Sequence, residues 1–437
     1  MKNSDLLNQF KAQLSALTTT DAKFTIALSG GLDSVVLLHL FSRVKNISVT
    51  AHHVHHGLSH NADYWGKFCQ QVAIGLNIKC SVSKVEIDKK NRVSLEALAR
   101  EKRYVILKEN LTDNSYLVTA HHQDDQLETL LLALKRGAGL TGLQGIVAKQ
   151  TLEKGYLIRP LLDFSREQLE VYAKQFELQW IEDESNADQR FDRNFIRHSI
   201  TPLLKERWPS IAKTVARSAS HCQAQQTLID EITDADYQLC QLSPLVLNID
   251  SLKQLSDARR KNVLRDYFKR SLLNYPSTQQ LNTIWESIAL AQADAEPKLQ
   301  LQEHTICRYR NALYLFKSDD FSEAFSEGSE KLLWQGESEL LLCNGKVKLK
   351  IEVDTQALNQ LPSIEVCFRH HLPTDFKCKP INRDKSRSIK KLFHEYHVPP
   401  WKRGLVPFIF VEGELLEAVG VFRCEMALSH SFRIEII

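Results

Sequence analysis

A chain of 437 residues exceeds what one ordinary core accommodates, so two to three domains are expected. Its 43% hydrophobic and 25% charged residues describe a soluble globular protein, and no apolar run is long enough to span a membrane. Nine scattered cysteines without a CxxC pair, and a start (Met1–Phe10) without an apolar signal core, point to the reducing cytoplasm. The same cysteine pattern speaks against a zinc or iron–sulfur centre, while a net charge of +3 says little until its distribution is read.

From residue 24 to 136 strand-like and helix-like stretches alternate. Strands are expected at Phe24–Leu28, Ser48–His53, Ser81–Ile87 and Tyr116–Ala120. Helices are expected at Ser34–Arg43, Asp63–Ile74, Ser94–Asn110 and Gln123–Lys135. Such alternation predicts a doubly wound parallel sheet of the α/β class, with ligands at the carboxyl ends of its strands. The first strand runs into Ser29-Gly30-Gly31-Leu32-Asp33-Ser34 and then directly into an apolar helix. A strand, a glycine turn and a helix start form a phosphate site, since glycines let backbone N–H groups approach an anion. Ser29 and Ser34 add hydroxyls, and Ser34 is also expected to cap the helix. Asp33 would repel phosphate unless a cation lay between them, which points to Mg²⁺. No lysine follows the glycines, so this is not the GxxxxGK[ST] loop.

His52-His53-Val54-His55-His56 has period-two spacing, which on a strand sends neighbouring rings to opposite faces, so a wall of the nucleotide pocket is expected rather than a zinc site. In Ser94–Tyr104, Ser94 is the expected N-cap. Arg100 and Arg103 share one helix face there, a spacing that fits a solvated basic surface as well as guanidiniums aimed at phosphate. Thr119–Thr129 runs from a strand end into a helix. Its register stacks His121, Asp125 and Glu128, places Asp124 opposite Glu128, and sets Leu127, Leu130, Leu131 and Leu134 on the other face. Acids in a first turn suit the helix dipole, but this many also suit a metal or an ammonium group. Four glycines between Gly137 and Gly145 predict a flexible loop at the pocket mouth, and Ser165 with Gln168 has capping-box spacing. The polar run Asp183–His198 repeats Arg190, Arg193 and Arg197 at about one helical turn, a row suited to phosphate.

Together SGGLDS, HHVHHGLS, SLEALAREKRY, HHQDDQLETLLL, RPLL and SNADQRFDRNFIRHSITPLL closely resemble the bacterial tRNA(Ile)-lysidine synthetases. These belong to the PP-loop ATP pyrophosphatases, which release pyrophosphate from ATP. The likeness is dense over about residues 20 to 205 and looser beyond. It implies an adenine nucleotide alpha hydrolase-like domain that adenylates the wobble cytidine of a CAU-anticodon tRNA(Ile) and lets L-lysine displace AMP. On this resemblance Ser29, Gly30, Gly31, Leu32, Asp33 and Ser34 form the pyrophosphate loop, with Asp33 the magnesium ligand, and His52 and Val54 lie beside the adenosine of ATP. Asp125 and Glu128 bind lysine or take its proton, and Asp124 shares that role or the metal. Arg100 and Arg193 stabilise the phosphates or position the cytidine, beside Asn194 and Arg197. A tRNA thiolase on the same loop is the alternative, disfavoured by the missing cysteine pair. The sequence leaves open whether the chain acts as a homodimer.

The catalytic domain is expected at 1–210, a predominantly helical tRNA-binding middle domain at 211–316, and an acidic, Ser-rich linker at 317–335. In the middle domain Leu252–Leu264 and Thr278–Leu290 read as helices. Arg259, Arg260, Lys261, Arg265 and Arg270 read as a basic face, and Cys307–Phe316 as one closing strand. A small α+β domain is expected at 336–437. Within it Arg369–Arg403 holds ten Lys/Arg against three acids, interleaved with Phe376, Phe393, Tyr396 and Trp401. Basic residues with aromatics fit RNA backbone and unpaired bases, which makes Lys390, Lys391, Trp401, Lys402 and Arg403 candidate tRNA contacts.

Overall fold

The computed structural model describes residues 3–55, 61–85, 95–109, 111–271, 273, 276–292, 295, 297–318, 331–337, 339–342, 347–353, 362–381, 383–425 and 432–436. The N-cap expected at Ser94, most of the expected linker and the side chain of Arg100 lie outside the described residues. The chain divides into two compact units, Met1–Asp230 and Glu231–Ile437. The first therefore runs about one helix beyond the boundary expected at 210, because α10 (Ile211–Cys240) carries the chain across.

The first unit contains α1 (Asn3–Leu17), β1 (Lys23–Ala27), α2 (Leu32–Ser42), β2 (Ser48–His55), α3 (Ala62–Gly75), β3 (Lys79–Lys84), α4 (Leu95–Glu109), β4 (Ser115–Val118) and α5 (Gln123–Lys135). After these come α6 (Leu140–Leu143), β5 (Lys149–Thr151), β6 (Tyr156–Ile158), α7 (Arg166–Gln175), α8 (Asp192–Phe195) and α9 (Thr201–Arg207). The sheet order is β3-β2-β1-β4-β6-β5, parallel throughout except for β5 at the edge. Side-chain alternation divides the core between the two faces. Phe24, Ile26, Tyr116 and Val118 pack with α1, α2, α3 and α7, whereas Val54 and Leu117 pack with Leu107 and Leu111 beyond the other face. Helix α2 is apolar on all sides and fully enclosed. Each of its buried Val, Leu and Phe side chains contributes about 1.5–3 kcal/mol. Its buried His39 is satisfied by the Tyr172 hydroxyl of α7 at 2.9 Å. The strand order reverses between β1 and β4, so the loops after those two strands flank one crevice.

The glycine-rich stretch expected to be a flexible loop is instead anchored. Gln126 donates to Ile146 O at 2.6 Å and accepts from Ile146 N at 2.7 Å. A Cβ at Gly145, whose φ is +64°, would stand 2.3 Å from Gln126 Oε1, so this glycine is required for the anchor.

The middle domain is mainly helical, as expected, but its helices are accompanied by a sheet that the sequence pattern does not announce. Alongside α10, α11 (Ile249–Gln254), α12 (Asp257–Arg270) and α13 (Thr278–Thr283) stands an antiparallel sheet ordered β7-β8-β11-β10-β9. Its strands are β7 (Gln241–Ser243), β8 (Val246–Asn248), β9 (Lys298–Leu301), β10 (His304–Tyr309) and β11 (Ala312–Lys317). Strands this short carry too little alternation to declare themselves. The single strand expected at Cys307–Phe316 is a hairpin, its turn only weakly marked because Arg310 takes φ 55° where glycine would signal it. Likewise Leu252–Leu264 is two helices, divided where Ser256 caps α12.

The C-terminal part of the second unit is α+β, as expected. It holds a five-stranded sheet (332–333, 364–367, 408–411, 414–418, 422–423), a three-stranded sheet (339–342, 347–353, 432–436) and a helix at Ile389–Glu395. Among the described residues no helix is long and apolar enough to cross a membrane.

Candidate active site

The loop Ser29–Ser34 bridges the end of β1 and the start of α2, beside the sheet's switch point. Gly30 has φ +89°, and a Cβ there would stand 3.1 Å from Cys69 Sγ and 3.3 Å from Ile181 Cδ1, so both backbone and space demand glycine. The cap expected at Ser34 is corrected: α2 begins at Leu32 with Gly31 as N-cap, leaving Ser34 inside the first turn. Its hydroxyl braces the loop instead, donating to Gly31 O at 2.9 Å and accepting from Gly30 N at 3.1 Å. Ser29 Oγ lies 3.0 Å away. The first-turn N–H groups of α2 have no partners within the helix, which is the condition for holding an anion.

Asp33 leans across to α7, where Arg166 Nη1 donates to its Oδ2 at 2.5 Å. His122 Nε2 lies 3.6 Å from the same oxygen, while Oδ1 is buried without a hydrogen-bond partner. One oxygen is thus anchored and the other is left for a hard cation. No cluster of three or more metal-ligating side chains occurs among the described residues. A magnesium ion held mainly by substrate phosphates needs only one or two carboxylates, so Asp33 fits it. Arg166 carries no motif signal beyond following the capping Ser165, and sequence reasoning missed it.

The acids at the start of α5 separate into two groups. Helix α5 begins at Gln123 with His122 as N-cap, in a capping box with Asp125. His121 lies before the helix, bonded to Thr119 Oγ1 at 2.9 Å, so it neighbours Asp125 on the cavity wall without being in helical register with it. Asp124 keeps its i, i+4 place beside Glu128 on α5 but has a different partner. It accepts from Lys205 Nζ at 2.7 Å, and the same ammonium reaches Glu167 Oε1 at 2.7 Å. Burial lowers the pKa of Lys205, but the two carboxylates outweigh it and raise the net value.

Asp125 and Glu128 do converge, and both are held by arginine. Arg193 Nε donates to Glu128 Oε2 at 2.8 Å and its Nη2 to Asp125 Oδ1 at 3.0 Å. Arg197 Nε donates to Glu128 Oε1 at 2.6 Å, and its Nη2 to Glu128 Oε2 at 2.9 Å and Asp125 Oδ1 at 3.2 Å. Glu128 is only 1% exposed. Burial raises the pKa of Asp125, but His122, His121 and Arg193 together bring it well below the usual carboxylate range. Burial opposes the charge on His122, but Asp125 and Asp33 raise its pKa above the ordinary imidazole value. The expected arginine row is therefore real in spacing but turned inward at Arg193 and Arg197. Arg190 stays outside, paired with Asp188 at 2.6 Å, and Asn194 donates to Asp188 O at 3.0 Å.

A cavity of about 190 Å³ brings these groups together, lined by Ser29, Asp33, Ser34, Thr119, His121 and Asp125 on one part and by Arg103, Tyr104 and Leu107 of α4 on the other. Arg103 therefore joins the site, and its i, i+3 spacing from Arg100 was the signal. His52 and Val54 face α4, and His53 and His55 face α3, as period two requires. His52 Nε2 pairs with Ser83 Oγ at 2.9 Å and Val54 sits in the apolar core, so neither lines the cavity.

In the second unit the basic face expected on α12 is mostly paired with acids, Arg265 bonding Asn262 instead. Arg259 bonds Asp236, Arg260 and Lys261 bond Asp257, and Arg270 bonds Asp234 and Asp266. The aromatics of Arg369–Arg403 are largely structural too. Phe393 is 1% exposed, Phe376 packs on Phe410, and Trp401 packs against Tyr309, Tyr314 and Phe316 of β10 and β11. The reading of Trp401 as a base-stacking residue is accordingly corrected, since its ring is spent on β10 and β11. Arg403 Nε donates to Val398 O at 3.0 Å, whereas Lys390, Lys391 and Lys402 are exposed. Trp401→Ala is expected to destabilise this unit by about 2–3 kcal/mol, somewhat below the roughly 3–5 kcal/mol of a fully enclosed ring. A urea melt followed through the C-terminal unit checks this, and an unchanged midpoint would contradict the packing role.

Three family models match in chain order: a PP-loop domain at residues 3–204, a TilS substrate binding domain at 247–314 and a TilS substrate C-terminal domain at 364–433. The tRNA(Ile)-lysidine synthase of Vibrio parahaemolyticus is 39% identical over 429 residues, covering 95% of each chain. That of Serratia proteamaculans is 39% identical over 426 residues, covering 96% of this chain and 95% of its own. A U34-tRNA thiolase from Methanococcus maripaludis is 18% identical with a TM-score of 0.42, over 50% of this chain and 77% of its own. With near-complete coverage at that identity and every domain in order, the chain belongs to the tRNA(Ile)-lysidine synthase family.

Proposed function

We propose that this chain joins L-lysine to C2 of the wobble cytidine of a CAU-anticodon tRNA(Ile), converting ATP to AMP and pyrophosphate. One observation carries the reading: a single cavity is walled by the PP-loop serines and Asp33 and also by Asp125, so a nucleotide-activating loop and an acid suited to an amine share one space. Family membership makes the chain an ATP-using ligase, and the thiolase alternative falls with it.

The cytidine C2 carbonyl oxygen attacks the α-phosphorus of ATP, and the bond to pyrophosphate breaks. The lysine side-chain amine then attacks C2, and the C2–O bond breaks as AMP departs. Ser29, Gly30, Gly31, Leu32 and Ser34 cradle the pyrophosphate through N–H and hydroxyl groups. Asp33 Oδ1 would hold Mg²⁺, which when bound offsets phosphate charge. Protonated lysine is not a nucleophile, so an acid must hold its ammonium and a base must take its proton. Asp125, on the cavity wall, is the acid we assign to the amine, with Arg193 or Arg197 yielding one of its bonds to Asp125 Oδ1. Glu128, held by both arginines, keeps the remaining bonds and maintains the geometry. Arg100 and Arg103 are assigned to phosphate charge. A cytoplasmic location accompanies a tRNA substrate.

Sustained, multiple-turnover release of pyrophosphate should require both lysine and a CAU-anticodon tRNA, with lysine incorporated into the RNA. Products indifferent to lysine would overturn the assignment. Replacing Lys390, Lys391 and Lys402 with glutamine should weaken tRNA binding and reduce the slope of log affinity against log salt by about 0.9 per lost phosphate contact. A slope equal to that of the wild type would remove this surface from the RNA interface.

A further inference from the structure

The segment that delivers Arg193 and Arg197 to the acids has an opposite side. Residues 192–207 form a nearly continuous helical run, α-helical at 192–195, π-helical at 196–200 and α-helical again at 201–207. Phe191 and Phe195 lie one turn apart, joined by a hydrogen bond from Phe195 N to Phe191 O at 2.9 Å. Arg193 stands two residues from each, about 200° around a helix that advances roughly 100° per residue. Accordingly the guanidiniums are turned inward onto Glu128, while Phe191 is 39% and Phe195 46% exposed. Neither of these exposed phenylalanine rings has a part in the apolar core.

We infer that Phe191 and Phe195 form a stacking platform for unpaired RNA bases next to the nucleotide being modified. This inference rests on the tRNA reading above and adds where the flanking bases are held. Three features favour RNA as the occupant. First, the rings are carried by the same short helix whose opposite face delivers Arg193 to the cavity-lining Asp125, which sets them about one helix width from the site. Second, the exposed surroundings carry a basic excess: Arg136 at the end of α5 and His198 after the rings add to the Lys135–Asp192 and Arg190–Asp188 pairs. The acids in that surface, Asp192 and Asp188, are already engaged by Lys135 and Arg190, so phosphate meets little uncompensated negative charge. Third, the helix is pinned by the Lys135–Asp192 pair and by Asn194 on Asp188 O, which presents the rings with little ordering cost on binding. Every base offers a π-face, so such a platform suits a single-stranded loop and not a closed duplex.

The test measures affinity of the full chain for a stem-loop RNA with a CAU loop and for a fully paired RNA of equal length. Phe191→Leu and Phe195→Leu keep apolar area but remove the aromatic face. Each should weaken stem-loop binding roughly tenfold, the order expected for losing one base–aromatic stack, and leave duplex binding unchanged. Phe195→Trp should retain wild-type affinity. Melting temperatures equal to that of the wild type would exclude a folding defect at these exposed positions. Leucine variants that bind the stem-loop like the wild type overturn the platform while leaving the tRNA reading intact. Leucine variants that lose self-association instead reassign the face to protein contact, which also overturns it. A wild-type chain without preference for the stem-loop over the duplex overturns the tRNA reading, and the platform with it.

Discussion

Glu128→Gln is expected to reduce lysine-dependent pyrophosphate release at least a hundredfold and to destabilise the first unit by about 2–4 kcal/mol. Glu128 is almost fully buried and accepts three hydrogen bonds from Arg193 and Arg197. Removing one partner of a buried pair typically costs roughly 3–5 kcal/mol, because the charge left behind cannot be resolvated. Here the range is set lower, since Arg193 and Arg197 retain side-chain exposures of 27% and 36% and Asp125 still faces both. The amide preserves shape, so packing loss does not confound the result. Equilibrium urea unfolding reports the stability change, and multiple-turnover pyrophosphate release with lysine present reports the chemistry. A variant with wild-type stability and activity would show that Asp125 alone suffices to organise the two arginines.

Asp33→Asn should behave differently, abolishing adenylation while leaving folding and tRNA affinity nearly intact. The amide can still accept from Arg166, so the anchored half of the side chain survives. What is lost is the anionic Oδ1, the buried oxygen without a hydrogen-bond partner to which Mg²⁺ is assigned. A loss of about a thousandfold corresponds to roughly 4 kcal/mol of transition-state charge stabilisation, within the several kcal/mol attributed to a metal's neutralisation of phosphoryl oxygens. Pyrophosphate release should be followed across a magnesium titration beside tRNA binding. Normal turnover would refute the magnesium assignment, whereas loss of tRNA affinity would mean that Asp33 shapes the RNA surface as well.

Much of the catalytic domain was legible because its strands are short apolar runs with strong helical patterns between them, and local pattern suffices where every second element is buried. The elements that were misread share a different property. The Cys307–Phe316 hairpin turns at Arg310-Asn311, with arginine and not glycine at the positive φ, so a lone asparagine is its only signal. Strands of three or four residues around it were absorbed into a helical reading. The aromatics of the basic tail looked like base-stacking residues because period and charge do not reveal which side of a ring will be covered. Trp401 is covered by Tyr309, Tyr314 and Phe316, residues nearly a hundred positions earlier.

The loop Ser29–Ser34 and the acids Asp125 and Glu128 were identifiable from sequence because each lies within one strand–helix junction, where spacing translates directly into geometry. Which charges neutralise one another was decided only by the fold. Arg166 reaches Asp33 from 133 residues away, Arg193 and Arg197 reach Asp125 and Glu128 from 65 to 72 residues away, and Lys205 takes Asp124 out of that group from 81. Electrostatic pairing falls off with distance in space and not along the chain. For that reason one strand–helix turn sufficed to suggest how a substrate is activated, whereas the state of the acids that receive it emerged only once distant helices were packed beside them.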